Sequence, residues 1–500
     1  MKSLATVTRW LFCSLFLRKP LLMRSTLLLL FLFILSFRLS ADIHWDEETK
    51  RIHGLFFDLR FDDAHHALRD YRNENPANLM ADYLEHLGWF YRIFVLEDPS
   101  VFDKNKDRML QLIASIDEEQ PSTWRSYCLS EMHLQQAALN TKFRYDISAG
   151  FSAVKAHSIL MEGRERYPDF PFLKTPHGLF LVTIGTLPEG YQNLAGLLGM
   201  KGDVQKGLKL LRDGWTQSKG EWKFLAPKHG FVYFYTRFQI EDFTNIPNEE
   251  TLLEPGRHPL LQYVFGKHYL DDRNPKKTLE ILSVGWEGKA SDFPYLTYMK
   301  GKARLAFSGK GEEEFLRYLK LDNGGRYRMS THRYLWWIHT LKGETSLAEE
   351  HRKAIMNSGS PVTGPDREAQ WEYQHPIPVD LIQARLAFDR NDINASLEFL
   401  DHLDDRALGE IDRQRWNYRR ARCELEKGDA REAARSFLEA TQGPDNTFEK
   451  AQSYLYLGQM MADRNDPELA RTYWKRCLEQ KDYPFRAGIQ QKAKAGLSRL

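Results

Sequence analysis

Between Tyr454 and Pro484, small and bulky residues recur at spacings that suit a pair of antiparallel helices. Tyr454, Leu457, Gly458 and Met461 fall on one helical face, and Ala470, Trp474 and Cys477 fall on another, because residues three and four apart share a side of a helix. Small side chains at Gly458, Ala470 and Cys477 let the two axes approach closely. Leu457, Met461 and Trp474 then fill the space left between neighbouring hairpins. One such hairpin cannot bury its apolar face alone, so the pattern demands stacked copies.

Copies are present. Ala421, Ala433, Phe437 and Ala440 repeat the phase, with a turn at Gly428-Asp429 and a close at Gly443-Pro444. One step earlier come Ala384, Ala387, Ala395 and Phe399, with a turn one residue shorter at Asn391-Asp392. Gly266, Tyr269, Thr278, Leu282 and Gly285 form another unit, turning at Arg273-Asn274-Pro275. Tyr191, Leu194, Ala195, Leu198, Gly207, Leu211 and Gly214 form one more, turning at Lys201-Gly202-Asp203. Ala64, Leu68 and Pro76 read as the second helix of a unit that turns at Arg60-Phe61-Asp62. The spacing is that of the tetratricopeptide pattern, about 34 residues per unit. The expected fold is therefore all-α, a tetratricopeptide-like solenoid of helical hairpins wound as a right-handed superhelix. Its repeat positions include Tyr191, Gly207, Gly266, Ala433, Phe437, Gly458, Ala470 and Trp474.

Gly230 to Phe238 is the most strand-like stretch, but a short apolar run fits a buried helix equally well, and helical hairpins surround it. Proline and glycine concentrate at Asn245 to Pro259 and at Ser358 to Pro365, marking long loops or a break in the superhelix. The body divides into N-terminal helical repeats at 42–250 and C-terminal repeats at 251–500, read as continuous.

Residues 1–41 read as a leader. Arg24 precedes an apolar run from Leu27 to Phe37, and Leu39-Ser40-Ala41 offers a small residue for cleavage. The run is about half of the roughly 20 residues needed to cross a bilayer. Cleavage after Ala41 would place the chain in the periplasm or envelope; an uncleaved tilted anchor and an organelle-targeting peptide are the alternatives. Met23 would give a tidier signal if it were the true start. Six of the 70 Lys and Arg precede Asp42 and none of the 68 acids does, so the body carries 64 cations against 68 acids, near −4. That balance argues against a nucleic-acid partner, which calls for a basic excess. Cys128, Cys423 and Cys477 stay in the body at spacings that fit no disulfide framework and no zinc motif.

His177-Gly178-Leu179-Phe180, Gly185, Leu187-Pro188, Leu197-Leu198-Gly199, Gly202 and Gly207-Leu208 resemble one family in particular. The chain is similar here to the tetratricopeptide repeat protein 39 and inclusion-body-clearance family, in its bacterial, Bacteroidota-type branch. Gly325-Arg326-Tyr327-Arg328 ahead of Trp336-Trp337, Asp366-Arg367-Glu368-Ala369 and the closing Lys492 to Leu497 look like later blocks of that branch. The resemblance spans roughly Ile43 to Leu500. It implies a helical-repeat fold, and for the eukaryotic members an association with lipid and inclusion-body handling. It carries no catalytic residue to this sequence.

Chemistry-bearing motifs are sparse. The glycines from Gly185 to Gly207 match neither a P-loop nor a dinucleotide fingerprint, so they read as packing residues. His65 and His66 follow Asp62 and Asp63, but adjacent side chains on a helix point about 100° apart and would not converge on a metal. Glu312-Glu313-Glu314 and Asp404-Asp405 read as solvated charge runs. No metal or cofactor is expected. The most suggestive cluster is Tyr327, Arg328, Arg333, Tyr334, Trp336 and Trp337, since Trp, Tyr and Arg dominate interface hot spots. Tyr327, Arg328, Arg333 and Trp336 are thus candidate partner contacts, against a plain reading in which Tyr334 and Trp337 are core. The function expected is an exported scaffold that binds a protein or peptide partner without turnover. The alternatives are a carrier or sensor of an apolar ligand such as a lipid, enclosed around Phe231 to Phe238, and a hydrolase with an acid pair.

Overall fold

The computed structural model describes residues 42–187, 189–240, 253–322 and 325–500. The leader and the boundary at residue 250 lie outside these residues. Twenty of the helices among them pair into ten hairpins. In chain order the pairs are α1 (Glu47–Phe57) with α2 (Phe61–Glu74), α3 (Met80–Leu96) with α4 (Pro99–Asp117), and α5 (Thr123–Lys142) with α6 (Asp146–Arg166). Next, α7 (Lys174–Gly185) pairs with α9 (Val204–Thr216), past an inserted α8 (Glu189–Leu197). A single helix, α10 (Ala226–Ile240), follows. Then α11 (Pro259–Asp271) pairs with α12 (Pro275–Ser283), α13 (Pro294–Ser308) with α14 (Glu312–Leu321), and α15 (Arg328–Leu341) with α16 (Thr345–Met356). A second single helix, α17 (Gly364–Gln374), precedes α18 (Val379–Asp389) with α19 (Ile393–Asp401), α20 (Glu410–Glu426) with α21 (Ala430–Ala440), and α22 (Phe448–Asp463) with α23 (Pro467–Glu479). The last helix, α24 (Arg486–Arg499), covers the final pair. The described residues contain no strand, only an isolated bridge from Asp42 to Asn78.

One turn geometry builds most of the hairpins. Leu59, Glu97, Arg144, Arg273, Gly343, Asn391, Gly428 and Asn465 each adopt a left-handed backbone, and the next residue caps the second helix. That single αL residue reverses the chain. Asp98, Asn274, Asp392 and Asp466 then accept a hydrogen bond from a backbone N–H of the first turn.

First helices of successive hairpins lie side by side, α1, α3, α5 and α7 in one arc and α18, α20 and α22 in another, which the last helix α24 extends. The core that starts at Ile43 continues to Met299, across the residue-250 boundary. Within the hairpins the expected packing holds at several positions. Ala433, Phe437 and Ala470 are wholly buried, and a Cβ on Gly458 would sit 2.4 Å from Nε1 of Trp474. Gly266 faces Met299, whose Cε would lie 2.9 Å from an added Cβ.

Three phases differ from the sequence reading. In α19 the buried residues are Ser396 and Leu400, one later than Ala395 and Phe399. The shorter turn shifts the register, and the Ser396 hydroxyl donates 2.8 Å to the Ala384 carbonyl at the close contact. Gly285 is exposed past the end of α12. Tyr191 does not belong to the hairpin core at all: it is 62% exposed on α8, and the partner of α9 is α7. Gly207 does pack, against the Gly178 carbonyl (2.7 Å from an added Cβ) and Val182 of α7. Gly202 likewise abuts Gly185.

Candidate binding face

A single helix packs against the N-terminal arc. Helix α10, the Gly230 to Phe238 stretch, sets Phe231 against Phe57 and Phe94, and Phe234 against Trp215 and Phe265. Lys228 at its start is buried and donates to Tyr83 Oη (2.6 Å), Tyr127 Oη (2.8 Å) and the Glu131 carboxylate. Tyr127 Oη lies 3.0 Å from Nε2 of His229, whose Nδ1 is 2.8 Å from Ser218 Oγ. Burial lowers the Lys228 and His229 pKa values. The side chains of this polar network are buried, so it ties α10 to α3 and α5.

Helix α17 plays a similar part against α15 and α18. Thr363 and Asp366 form a capping box at its start, and Asp366 also accepts from the Tyr327 and Ser330 N–H groups. Two turns of α17 present Glu368 and Glu372 to Arg333 of α15 and Arg385 of α18. Burial would raise the Glu368 pKa, but Arg333 and Arg385 hold it well below the usual carboxylate range; for Glu372 burial prevails and the pKa is raised.

This settles where the suggestive cluster lies. Arg333 has no exposed surface and Trp336 is 7% exposed, so both belong to the core. The Arg333 guanidinium stacks near Tyr334 and Trp337 at 4.6 and 4.9 Å. Tyr327 is half-buried between Tyr295 and Tyr298, in a left-handed conformation. Arg328 is half-buried and donates to the Leu319 carbonyl. The structure brings these residues together, but as packing. Two smaller readings change too. Glu314 is buried and paired with Arg304 at 2.9 Å. His65 packs between Phe56 and Trp89, while His66 is exposed beside Asp70.

A basic and aromatic cluster on α20 is partly open at Arg419 and Arg422, while Arg415, Tyr418 and the facing Phe388 are buried. Arg415, Arg419, Arg422 and Glu426 follow one another at four, three and four residues, so they share one side of the helix. Phe388 of α18 receives three guanidinium groups, Arg273 at 4.7 Å, Arg422 at 4.9 Å and Arg419 at 5.1 Å. Arg422 also lies over Tyr456 of α22 at 4.8 Å and donates to Tyr418 Oη, so three first helices meet at one aromatic and basic surface. Arg415 pairs with Asp412 at 2.9 Å, and Arg273 with Glu426 at 2.6 Å. Arg419 is the exception. It is half-buried, it lies over the rings of Phe388 and Tyr418, and burial lowers its pKa, helped by Arg385 and Arg422 and opposed by Asp389 and Tyr418. The spacing of Arg415, Arg419 and Arg422 around Ala421 was visible in sequence. Its approach to Phe388, over thirty residues away, was not.

No family model matches the chain, and no curated protein matches it. The crystal structure of yeast Tom70 is similar over 88% of this chain and 86% of that one, at 14% identity and a TM-score of 0.23. The binding reading therefore rests on this chain's own side chains, and the narrower likeness to the tetratricopeptide repeat protein 39 family stands as a resemblance.

Proposed function

We propose that the chain is a non-catalytic helical-repeat scaffold, which holds an acidic segment of a protein partner along the inner face of α18, α20 and α22. The observation that carries this is Arg419, a half-buried guanidinium against aromatic rings with no carboxylate paired to it among the described residues. A partner carboxylate there would restore the charge balance that Glu368 and Glu372 supply to Arg333 and Arg385. Charge-assisted, bidentate contacts are the strong ones for arginine, and the half-buried Tyr456, under Arg422, supplies apolar surface on the neighbouring helix. Export of the scaffold into the envelope, expected from Leu27 to Ala41, is part of this proposal; amino-terminal sequencing of the exported protein should start at Asp42.

Selection of displayed random peptides on the purified chain tests the site. Acidic sequences should emerge, and Arg419→Glu should weaken their binding at least tenfold. Selection of neutral or basic sequences, or equal affinity in the variant, would reject it.

A further inference from the structure

A cleft of about 430 Å³ lies between α17 and the turn that joins α23 to α24, within the range of about 300–1,000 Å³ typical of ligand sites. Helix α17 lines it with Arg367, Gln370, Trp371 and Gln374. These fall at three-, one- and three-residue steps and so share one side of the helix. Glu368, Ala369 and Glu372, between them in sequence, are buried, so α17 is anchored by the ion pairs to α15 and α18 while its other side meets the cleft. Asp482, Tyr483 and Pro484 line it from the turn, and Pro361 from the loop ahead of α17.

The walls are fixed relative to one another. Gly364 at the start of α17 abuts Phe485, whose ring would lie 2.6 Å from an added Cβ. Asp482 and Phe485 both take a left-handed backbone, and Tyr483 and Pro484 between them are buried. His375 packs on the Trp371 indole with ring centres 4.1 Å apart.

The lining selects a ligand. An indole, a phenol and two pyrrolidine rings make its apolar part. Arg367 and Trp371 can only donate hydrogen bonds, and the amides of Gln370 and Gln374 add further donors. None of these four side chains makes a hydrogen bond among the described residues. Asp482 offsets the charge of Arg367, and its carboxylate is 3.6 Å from Arg486. A lining of balanced charge gives no advantage to an acidic segment, and sugar hydroxyls need acceptors as much as donors. A proline-rich segment fits better. Its polyproline II helix makes no internal hydrogen bonds, so its carbonyls are free to accept, and its rings dock on aromatic walls. The lengths agree as well. Arg367 to Gln374 spans about 10 Å at 1.5 Å per residue, and one polyproline II turn spans about 9 Å at 3.1 Å per residue.

We infer that this cleft is a docking site for a proline-rich segment of a partner protein, and that it uses none of the residues of the Arg419 face.

Fluorescence anisotropy of labelled decaproline, titrated with the purified full-length chain, reads the result against a Gly-Ser peptide of equal length. Decaproline should bind saturably and the Gly-Ser peptide should not. Trp371→Ala should weaken binding at least tenfold. Because the indole also packs on His375, Arg367→Glu with Gln374→Glu, both exposed, gives a second reading. Donors become acceptors there, so affinity should fall at least tenfold with an unchanged melting temperature. Absence of saturable decaproline binding, or an affinity unchanged in either variant, would overturn the inference. So would a cleft that takes maltoheptaose in place of decaproline and loses it in the variants, since the ligand would then be a sugar.

Discussion

Arg333 Nη1 lies 2.5 Å from Glu368 Oε2 across the junction of α15 and α17, with the guanidinium wholly buried. Glu372 Oε1 is 3.2 Å from the same nitrogen, and Arg385 bridges both carboxylates from α18. Three helices from three different units are therefore fastened by four charges inside the protein.

Removing one member should cost far more than the pair is worth. Arg333→Ala would leave Glu368 and Glu372 desolvated with Arg385 alone, and breaking a buried pair in this way typically costs about 3–5 kcal/mol. Chemical denaturation of the variant should show a loss of that size. Arg333→Met and Arg385→Met combined with Glu368→Leu and Glu372→Leu should recover much of it, because the four charges are then removed together and none is left without its partner.

The glycines separate into two classes that substitution should tell apart. At Gly458 an added Cβ meets the Trp474 ring at 2.4 Å, and at Gly207 it meets the Gly178 carbonyl at 2.7 Å. Neither a buried indole nor a helix backbone yields cheaply, so Gly458→Ala and Gly207→Ala should each destabilise by about 1–3 kcal/mol. Gly54 lies within α1 with open space at its Cβ position, and Gly54→Ala should stabilise by about 0.5–1 kcal/mol. Thermal melts of the three variants check the contrast.

Gly458, Ala470 and Trp474 were legible in sequence because the contacts that define them lie inside one hairpin, where helical spacing decides the face. The phase at Ala395 and Phe399 slipped by one because a turn's length does not reveal which residue of the next helix reaches the contact. Tyr191 misled for a related reason: α8 carries a helical apolar pattern, but α7 already occupies the place beside α9. The burial of Arg333 could not be read, since its counter-charges sit on an unpaired helix beyond the Ser358 to Pro365 loop. The concentration of proline and glycine there did mark the departure from the repeat.

Stability should fall on mild acidification. His86 is wholly buried with Nδ1 3.0 Å from Gln135 Oε1, and burial lowers its pKa to about 3. Burial likewise brings His177 and His332 down to about 4. In the unfolded chain these rings bind a proton near pH 6.5, so below that pH the unfolded state holds more protons. The stabilising contribution is full above pH 6.5 and is lost as pH falls toward 4, at up to about 1.4 kcal/mol per unit for each ring. Urea unfolding at pH 7.5 and pH 5.5 should show the decline, and His86→Gln should make it shallower.

Arg419 should show the opposite balance from Arg333. Its half-buried guanidinium has rings for company and no carboxylate paired to it among the described residues, and burial lowers its pKa. Replacing it with an apolar side chain of similar length removes a desolvated charge without stranding a partner. Arg419→Met should therefore leave the fold intact and raise its stability by about 0.5–2 kcal/mol, the usual gain when a site's functional compromise is relieved. The same variant should lose affinity for acidic peptides, while Arg435→Met, with its guanidinium largely in solvent on α21, should change neither. A destabilised Arg419→Met would mean that the guanidinium supports the packing of α18 against α20, and the binding face would then have to be sought elsewhere on the inner surface.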